Sequence, residues 1–245
     1  MKLLYLAIAV ALVLAPGLAA EATIVDSESL ADLIANHDTI VVGDKTFSGF
    51  SVTGFAISQG NASPGAANAI LVTGFSDPGT HLPGLEFTGA FSVVCPPCPS
   101  SLDLVLRYTV STSGPPINDI HLSFNGARTG SGFATVTETV KNTGGTTIGQ
   151  ASVTNPPQNF DASINLTQPV LTALVIKDVL LSATQPIGSN CVSLGQGECG
   201  TASISFIDQS VSQAPAPEPA TLLLLGSGLA GVGFLRRKLA RTQEG

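Results

Sequence analysis

The chain has 245 residues, 10 Lys and Arg against 17 Asp and Glu, and 11% charged residues, where an ordinary soluble domain carries roughly 25%. Its apolar content excludes a wholly disordered chain, and its acidic balance excludes the usual basic nucleic-acid binder. With 26 Gly, 16 Pro and few charges it is not a long helical or coiled-coil protein either.

Met1-Lys2 precedes an apolar run from Leu3 to Ala15, and small residues follow to Ala20. This is the order of a secretory signal peptide over 1–20, too short an apolar stretch to span a bilayer. Cleavage is expected after Ala20, and Ala20-Glu21-Ala22 fits the same small-x-small rule. The secretion translocon and signal peptidase are the implied first partners.

The body, 21–213, has five basic residues (Lys45, Arg107, Arg128, Lys141, Lys177) against fifteen acids, a net charge near −10. Its length suffices for one core. Asp26–Asn36 is expected to be a short helix, capped by Asp26 or Ser27, with Leu30, Leu33 and Ile34 as its apolar stripe. After it the apolar period becomes two. Leu102, Leu104, Leu106, Tyr108 and Val110 alternate with Asp103, Val105, Arg107 and Thr109. Ala134, Val136 and Val140 alternate with threonines, and Glu138 interrupts their apolar face. Ile204 and Phe206 alternate with serines. Such alternation marks antiparallel strands with one wet face. Further strands are expected at 39–47, 49–57, 69–74, 85–94, 119–124, 147–154, 160–166 and 170–182. The last is apolar on both faces and therefore central. Turns are expected at Gly60-Asn61, Asp77-Pro-Gly79, Gly114-Pro-Pro116, Asn125-Gly126, Asn142–Gly145 and Asn155-Pro-Pro157. The fold class is all-β: an antiparallel β-sandwich of about ten strands with one short N-terminal helix, plus a C-terminal transmembrane helix.

Beyond the body, Ala214–Pro219 is a stiff Pro-rich spacer. Residues 220–235 form an uncharged apolar run, which as a helix spans about 24 Å against a hydrocarbon core of ~30 Å. Arg236, Arg237, Lys238 and Arg241 follow, and the positive-inside rule keeps this 236–245 tail cytoplasmic with the body outside. Gly226, Gly231 and Gly233 form no clean helix-packing seam.

Pro217-Glu218-Pro219, the apolar run and Arg236-Arg237-Lys238 together resemble a PEP-CTERM sorting signal over 214–245. The resemblance implies a Gram-negative-type envelope, a transient inner-membrane anchor, and recognition by an exosortase. It also implies cleavage near Pro217–Pro219 and delivery to the cell surface or an exopolysaccharide layer. A sortase signal would need LPxTG, which is absent, and a GPI signal would lack the basic tail. The body resembles a recurrent ectodomain attached to this signal through Ile40–Phe50, Val136–Val140 and Ser203–Ser210. That ectodomain has no assigned activity.

Catalytic signals are sparse. Cys95, Cys98, Cys191 and Cys199 read as disulfides in an exported protein; of three connectivities the local one, Cys95–Cys98 with Cys191–Cys199, is favoured. A redox Cys-x-x-Cys would want a helix N-terminus, and a four-thiolate zinc site a narrower second spacing. His37, His81 and His121 are isolated, and no serine stands out as a nucleophile. Glu86, Glu138 and Asp103 lie on strand candidates, so a glycosidase pair is geometrically open, but the mature body has Tyr108 and no Trp as a sugar platform. No EF-hand loop occurs; Asp77–Thr80 and Asn118-Asp119 read as turns, and a surface calcium ion is the one cofactor left open. Asn61-Ala-Ser63 and Asn165-Leu-Thr167 match the glycosylation sequon incidentally. The expectation is a non-enzymatic matrix or surface protein with no catalytic, cofactor or metal residues. The competing expectations are an extracellular polysaccharide or ester hydrolase and an adhesin.

Overall fold

A computed structural model describes residues 26–58, 61–77, 80–95, 99–185 and 199–213. In chain order they form β1 (Asp26–Ser29), α1 (Leu30–Asn36), β2 (Ile40–Val42), β3 (Lys45–Ser58), β4 (Asn61–Ser63), β5 (Leu71–Ser76), β6 (Pro83–Val94), β7 (Ser100–Thr112), β8 (Ile117–Thr129), β9 (Phe133–Lys141), β10 (Thr147–Asn155), β11 (Asp161–Val170), β12 (Thr172–Ala183) and β13 (Thr201–Gln213). The strands pair antiparallel in two sheets. The first has the order β1-β5-β6-β13-β8-β11, with β4 on β6; the second has the order β10-β9-β12-β7-β3-β2.

The alternation read from the sequence has its physical cause in this arrangement. Leu102, Leu104, Leu106, Tyr108 and Val110 are all buried in the core, and so are Ala134, Val136, Val140 and Ile204; Phe206 is not, because a bulge between Ile204 and Phe206 shifts the parity of β13 and buries Ile207 in its place. Phe47, Phe50 and Phe87 surround the Tyr108 ring at centroid distances of 6.2, 5.7 and 5.7 Å. β12 is central, between β9 and β7, as expected. Its burial nonetheless alternates, so it is not buried equally on both faces.

Several expected boundaries are corrected. Asp26–Ser29 is a strand on β5, not the first turn of the helix, and the N-cap is Ser29, whose Oγ accepts from the Asp32 amide at 3.1 Å. The break falls at Gly43, with φ +60°, between the three-residue β2 and β3, and the expected break near Ser48 is a register slip inside β3. Asn125-Gly126 is no turn but lies inside β8, beside a bulge where β13 slips register between Ile204 and Phe206. Asn118 and Asp119 also lie in β8 rather than in a turn. Asn142–Gly145 does turn, with the Asn142 side chain accepting from the Gly144 and Thr146 amides at 3.0 Å. The described strands number thirteen rather than about ten.

The last strand is the topological key. β13 inserts between β6 and β8, in the middle of the first sheet, and pairs with both over most of its length. The first sheet is therefore incomplete until the residue next to the Pro-rich spacer is in place. Its edge, β11, holds β8 only at 161–165 and again at Val170.

Candidate functional site

The outer face of the first sheet carries a polar row that crosses six strands in register. Ser27 on β1 stands opposite Thr73 on β5, Thr73 opposite Glu86 on β6, and Glu86 opposite Asp208 on β13; Asp208 in turn faces Ser123 on β8, and Ser123 faces Asp161 on β11. These residues point outward because their chain neighbours Val72, Leu85, Phe87, Ile207, Leu122 and Phe124 point into the core. The Ser27 and Thr73 hydroxyls are 3.1 Å apart. Burial first, and the charge of Glu86 second, push the Asp208 carboxyl up to about 7.

The adjacent row holds Ser163, His121 and Ser210. Ser163 Oγ is 2.9 Å from His121 Nδ1, and His121 Nε2 is 3.2 Å from Asp119 Oδ1. Ser163 was invisible as a candidate in the sequence, because only the β11–β8 register brings it to His121. The Asp119 contact lacks hydrogen-bond geometry, since Asp119 Oδ1 has no hydrogen-bond partner among the described residues. The imidazole is 46% exposed on an open sheet face.

A third cluster lies between the sheets. Glu138 on β9 and Lys177 on β12 stand side by side in register, both facing the core and both fully buried. Lys177 Nζ donates to Glu138 Oε2, and Gln209 Nε2, from β13 of the opposite sheet, donates to Glu138 Oε1 at 2.9 Å. Burial pushes Glu138 up and Lys177 down, each opposed by the other's charge. Tyr108 is pushed well up by burial and by Glu138. The three carboxylates weighed for glycoside hydrolysis are not brought together. Glu86 lies outside the first sheet, Glu138 inside, and Asp103 on the outer face of the second. The partner of Glu86 is Asp208.

A fourth cluster closes the end of the sandwich. The Asp44 carboxylate accepts from Lys45 Nζ at 2.7 Å, from Thr112 Oγ1 at 2.9 Å and from Gln213 Nε2. Gln213 is the last residue of β13, so this knot sits where the spacer begins.

An open depression of about 670 Å³ lies between 126–130 of β8 and Asn155–Gln158. It gathers no carboxylate, histidine or cysteine. Among the described residues no group of three His, Cys, Asp or Glu is placed to hold a metal ion. Asp77 Oδ1 accepts from the Thr80 amide and hydroxyl at 2.6 and 2.8 Å, while Pro78 and Gly79 of the expected turn lie outside the described residues. His37 caps α1 in the left-handed region at φ 57°. Cys95 and Cys199 are in disulfides, and Cys98 and Cys191 lie outside the described residues. The signal peptide 1–20 and the segment 214–245 also lie outside them. No described helix is long and apolar enough to cross a membrane.

No curated protein matches the chain in sequence. Among solved structures, the enzymatically active domain of tailspike protein 4 from bacteriophage CBA120 is similar over 66% of this chain, at 8% identity and a TM-score of 0.29. The match spans only 19% of that protein's chain. The C-terminal segment is decisive: residues 215–238 match the PEP-CTERM protein-sorting motif, which includes Pro217-Glu218-Pro219 and Arg236-Arg237-Lys238, and the chain thereby carries a signal for export and exosortase recognition.

Proposed function

We propose that the protein is an exported structural component of the cell surface or of an extracellular polysaccharide layer, processed by an exosortase, whose β-sandwich works without catalysis. The observation that carries this reading is the sorting motif at 215–238, which starts directly after β13 completes the first sheet. The order means that the whole sandwich lies on one side of the sorting signal. Its surface supports a structural role: the wet faces are Ser, Thr and Asn rather than lysine. Among the described residues the exposed large apolar side chains are few: Val41 on β2, Leu71 on β5, Val94 on β6 and Leu171 between β11 and β12. Replacing Pro217-Glu218-Pro219 by alanines is expected to leave an uncut, membrane-retained precursor, read by fractionation and mass measurement of the mature chain. Unchanged processing and release in that variant would reject the reading.

The Ser163–His121 contact favours one second reading, an extracellular ester hydrolase. A neutral imidazole protonated on Nε2 could accept the Ser163 proton at Nδ1. Against it, Asp119 lacks the hydrogen bond that would orient the ring, and the group lies on an open sheet face rather than in a cleft. Short-chain aryl-ester turnover by the wild-type protein, lost in Ser163→Ala, would establish this second reading.

A further inference from the structure

We propose that Lys177 and Gln209 form an intramolecular isopeptide bond, catalysed by Glu138, that staples the second sheet to the first. The geometry assigns each group its part. One carboxylate touches both reactants: Glu138 Oε2 accepts from the Lys177 amine and Glu138 Oε1 from the Gln209 carboxamide nitrogen at 2.9 Å. All three residues are fully buried, on β12, β9 and β13, so water is kept from the reaction and from its product. Two buried polar atoms are left over in this part of the core. Gln209 Oε1 and the Tyr108 hydroxyl have no hydrogen-bond partner among the described residues. Such groups are costly to bury unmatched. A buried ion pair alone brings little net stability, which leaves room for another role.

The chemistry balances without any co-reactant. Burial favours the neutral amine of Lys177 and the neutral acid of Glu138, which are the nucleophile and the proton shuttle the reaction needs. The Nζ lone pair adds to Gln209 Cδ, and the carbonyl electron pair moves onto Oε1. Glu138 takes a proton from Nζ through Oε2 and delivers one to Nε2 through Oε1. The carbonyl re-forms, the Cδ–Nε2 bond breaks, and ammonia leaves. One primary amine and one carboxamide become one secondary amide and one ammonia, and Glu138 returns to its starting state. The step goes beyond the sorting reading and does not depend on it. Its mechanical consequence is that force entering β13 from the spacer would reach the second sheet through a covalent bond.

The test is mass measurement on the full-length protein, reduced and denatured, followed by mapping with two proteases of different specificity. The expected result is a species lighter than its sequence by one ammonia, with trypsin failing to cut after Lys177 and a fragment joining Lys177 to Gln209. Loss of one water, with the link at Glu138 instead, would overturn the assignment of Gln209. The unmodified sequence mass, with normal cleavage after Lys177, would overturn the bond altogether. Glu138→Gln keeps the size of the side chain but cannot shuttle protons, and is expected to restore both the ammonia and the cleavage. Should that variant fail to fold, Gln209→Leu supplies the same readout, and the wild-type mass decides the question on its own.

Discussion

Asp208 on β13 and Glu86 on β6 stand directly opposite each other on the outer face of the first sheet. Burial and the Glu86 charge raise the Asp208 carboxyl to about 7; Asp77 adds to the rise and Lys177, from the interior, opposes it. The folded value lies above the unfolded one, so the folded state binds the extra proton between about pH 4 and 7. The stabilisation it brings is complete below that window and is lost as pH rises through it. Asp208→Asn should remove this slope and stabilise the protein at pH 8 by about 1 kcal/mol, a figure reduced for partial solvent exposure. Urea unfolding of both proteins at pH 5 and pH 8 reads the effect. An unchanged slope in the variant would mean that another group is responsible.

The same two strands meet at Gly84, where a side chain has no room. A Cβ there would lie 2.3 Å from the Gln209 backbone oxygen and 2.7 Å from the Phe75 ring. The ring can turn, but the central strand cannot. Gly84→Ala should therefore cost about 2–3 kcal/mol, as overpacking and backbone displacement do. Thermal unfolding checks it. A loss under about 0.5 kcal/mol would show that β13 yields more easily than its two neighbours suggest.

What the sequence disclosed follows from how far apart the relevant residues lie. The Leu102–Val110 alternation was legible because burial of one face imposes it within a single strand. The sorting motif was legible because its parts are contiguous. Asp26–Ser29 was misread as a helix start because its capping residues look the same in either role, and only pairing with β5, far along the chain, makes it a strand. Glu138 showed itself as an acid on an apolar face, but its partners did not. Lys177 reaches it through a β9–β12 register and Gln209 through sheet stacking, and neither is written locally. One signal was available: Lys177 occupies the buried parity of Ala173, Val175, Val179 and Leu181, the complement of an acid at the same depth on another strand. Ser163 and His121 had no such marker, since wet-face residues carry no constraint on what stands opposite.

The short helix offers a local test. Ser29 caps α1, and Leu30 and Leu33 bury its one apolar face. Ser29→Ala leaves the Asp32 amide without its acceptor and should cost about 1 kcal/mol. At the other end, His37 occupies the left-handed region, where glycine is at ease. His37→Gly should be neutral or stabilising by a few tenths of a kcal/mol. Chemical denaturation of the two variants separates the ends. A destabilising His37→Gly would mean that the imidazole contributes more than its backbone geometry.

The knot at Asp44 governs the end of the sandwich that meets the spacer. Burial alone would raise this carboxyl, but hydrogen bonds from Lys45, Thr112 and Gln213 outweigh it and hold Asp44 below its ordinary value. The sign is opposite to that at Asp208. The contribution is present above the unfolded value, near pH 4, and is lost as pH falls through the lower folded value. Lys45 makes the loss matter, because its ammonium is fully buried and Thr112 Oγ1, at 3.3 Å, is a weaker substitute. Asp44→Ala should cost about 2 kcal/mol at neutral pH and should loosen Gln213 from the end of β13. Hydrogen exchange of the β13 amides reads that loosening directly. Protection should fall first at Ser212 and Gln213 and remain at Ile207, where β6 and β8 hold the strand from both sides. Uniform loss along β13 would instead show that the knot supports the whole central strand, and that the spacer pulls on the core rather than on its last residues.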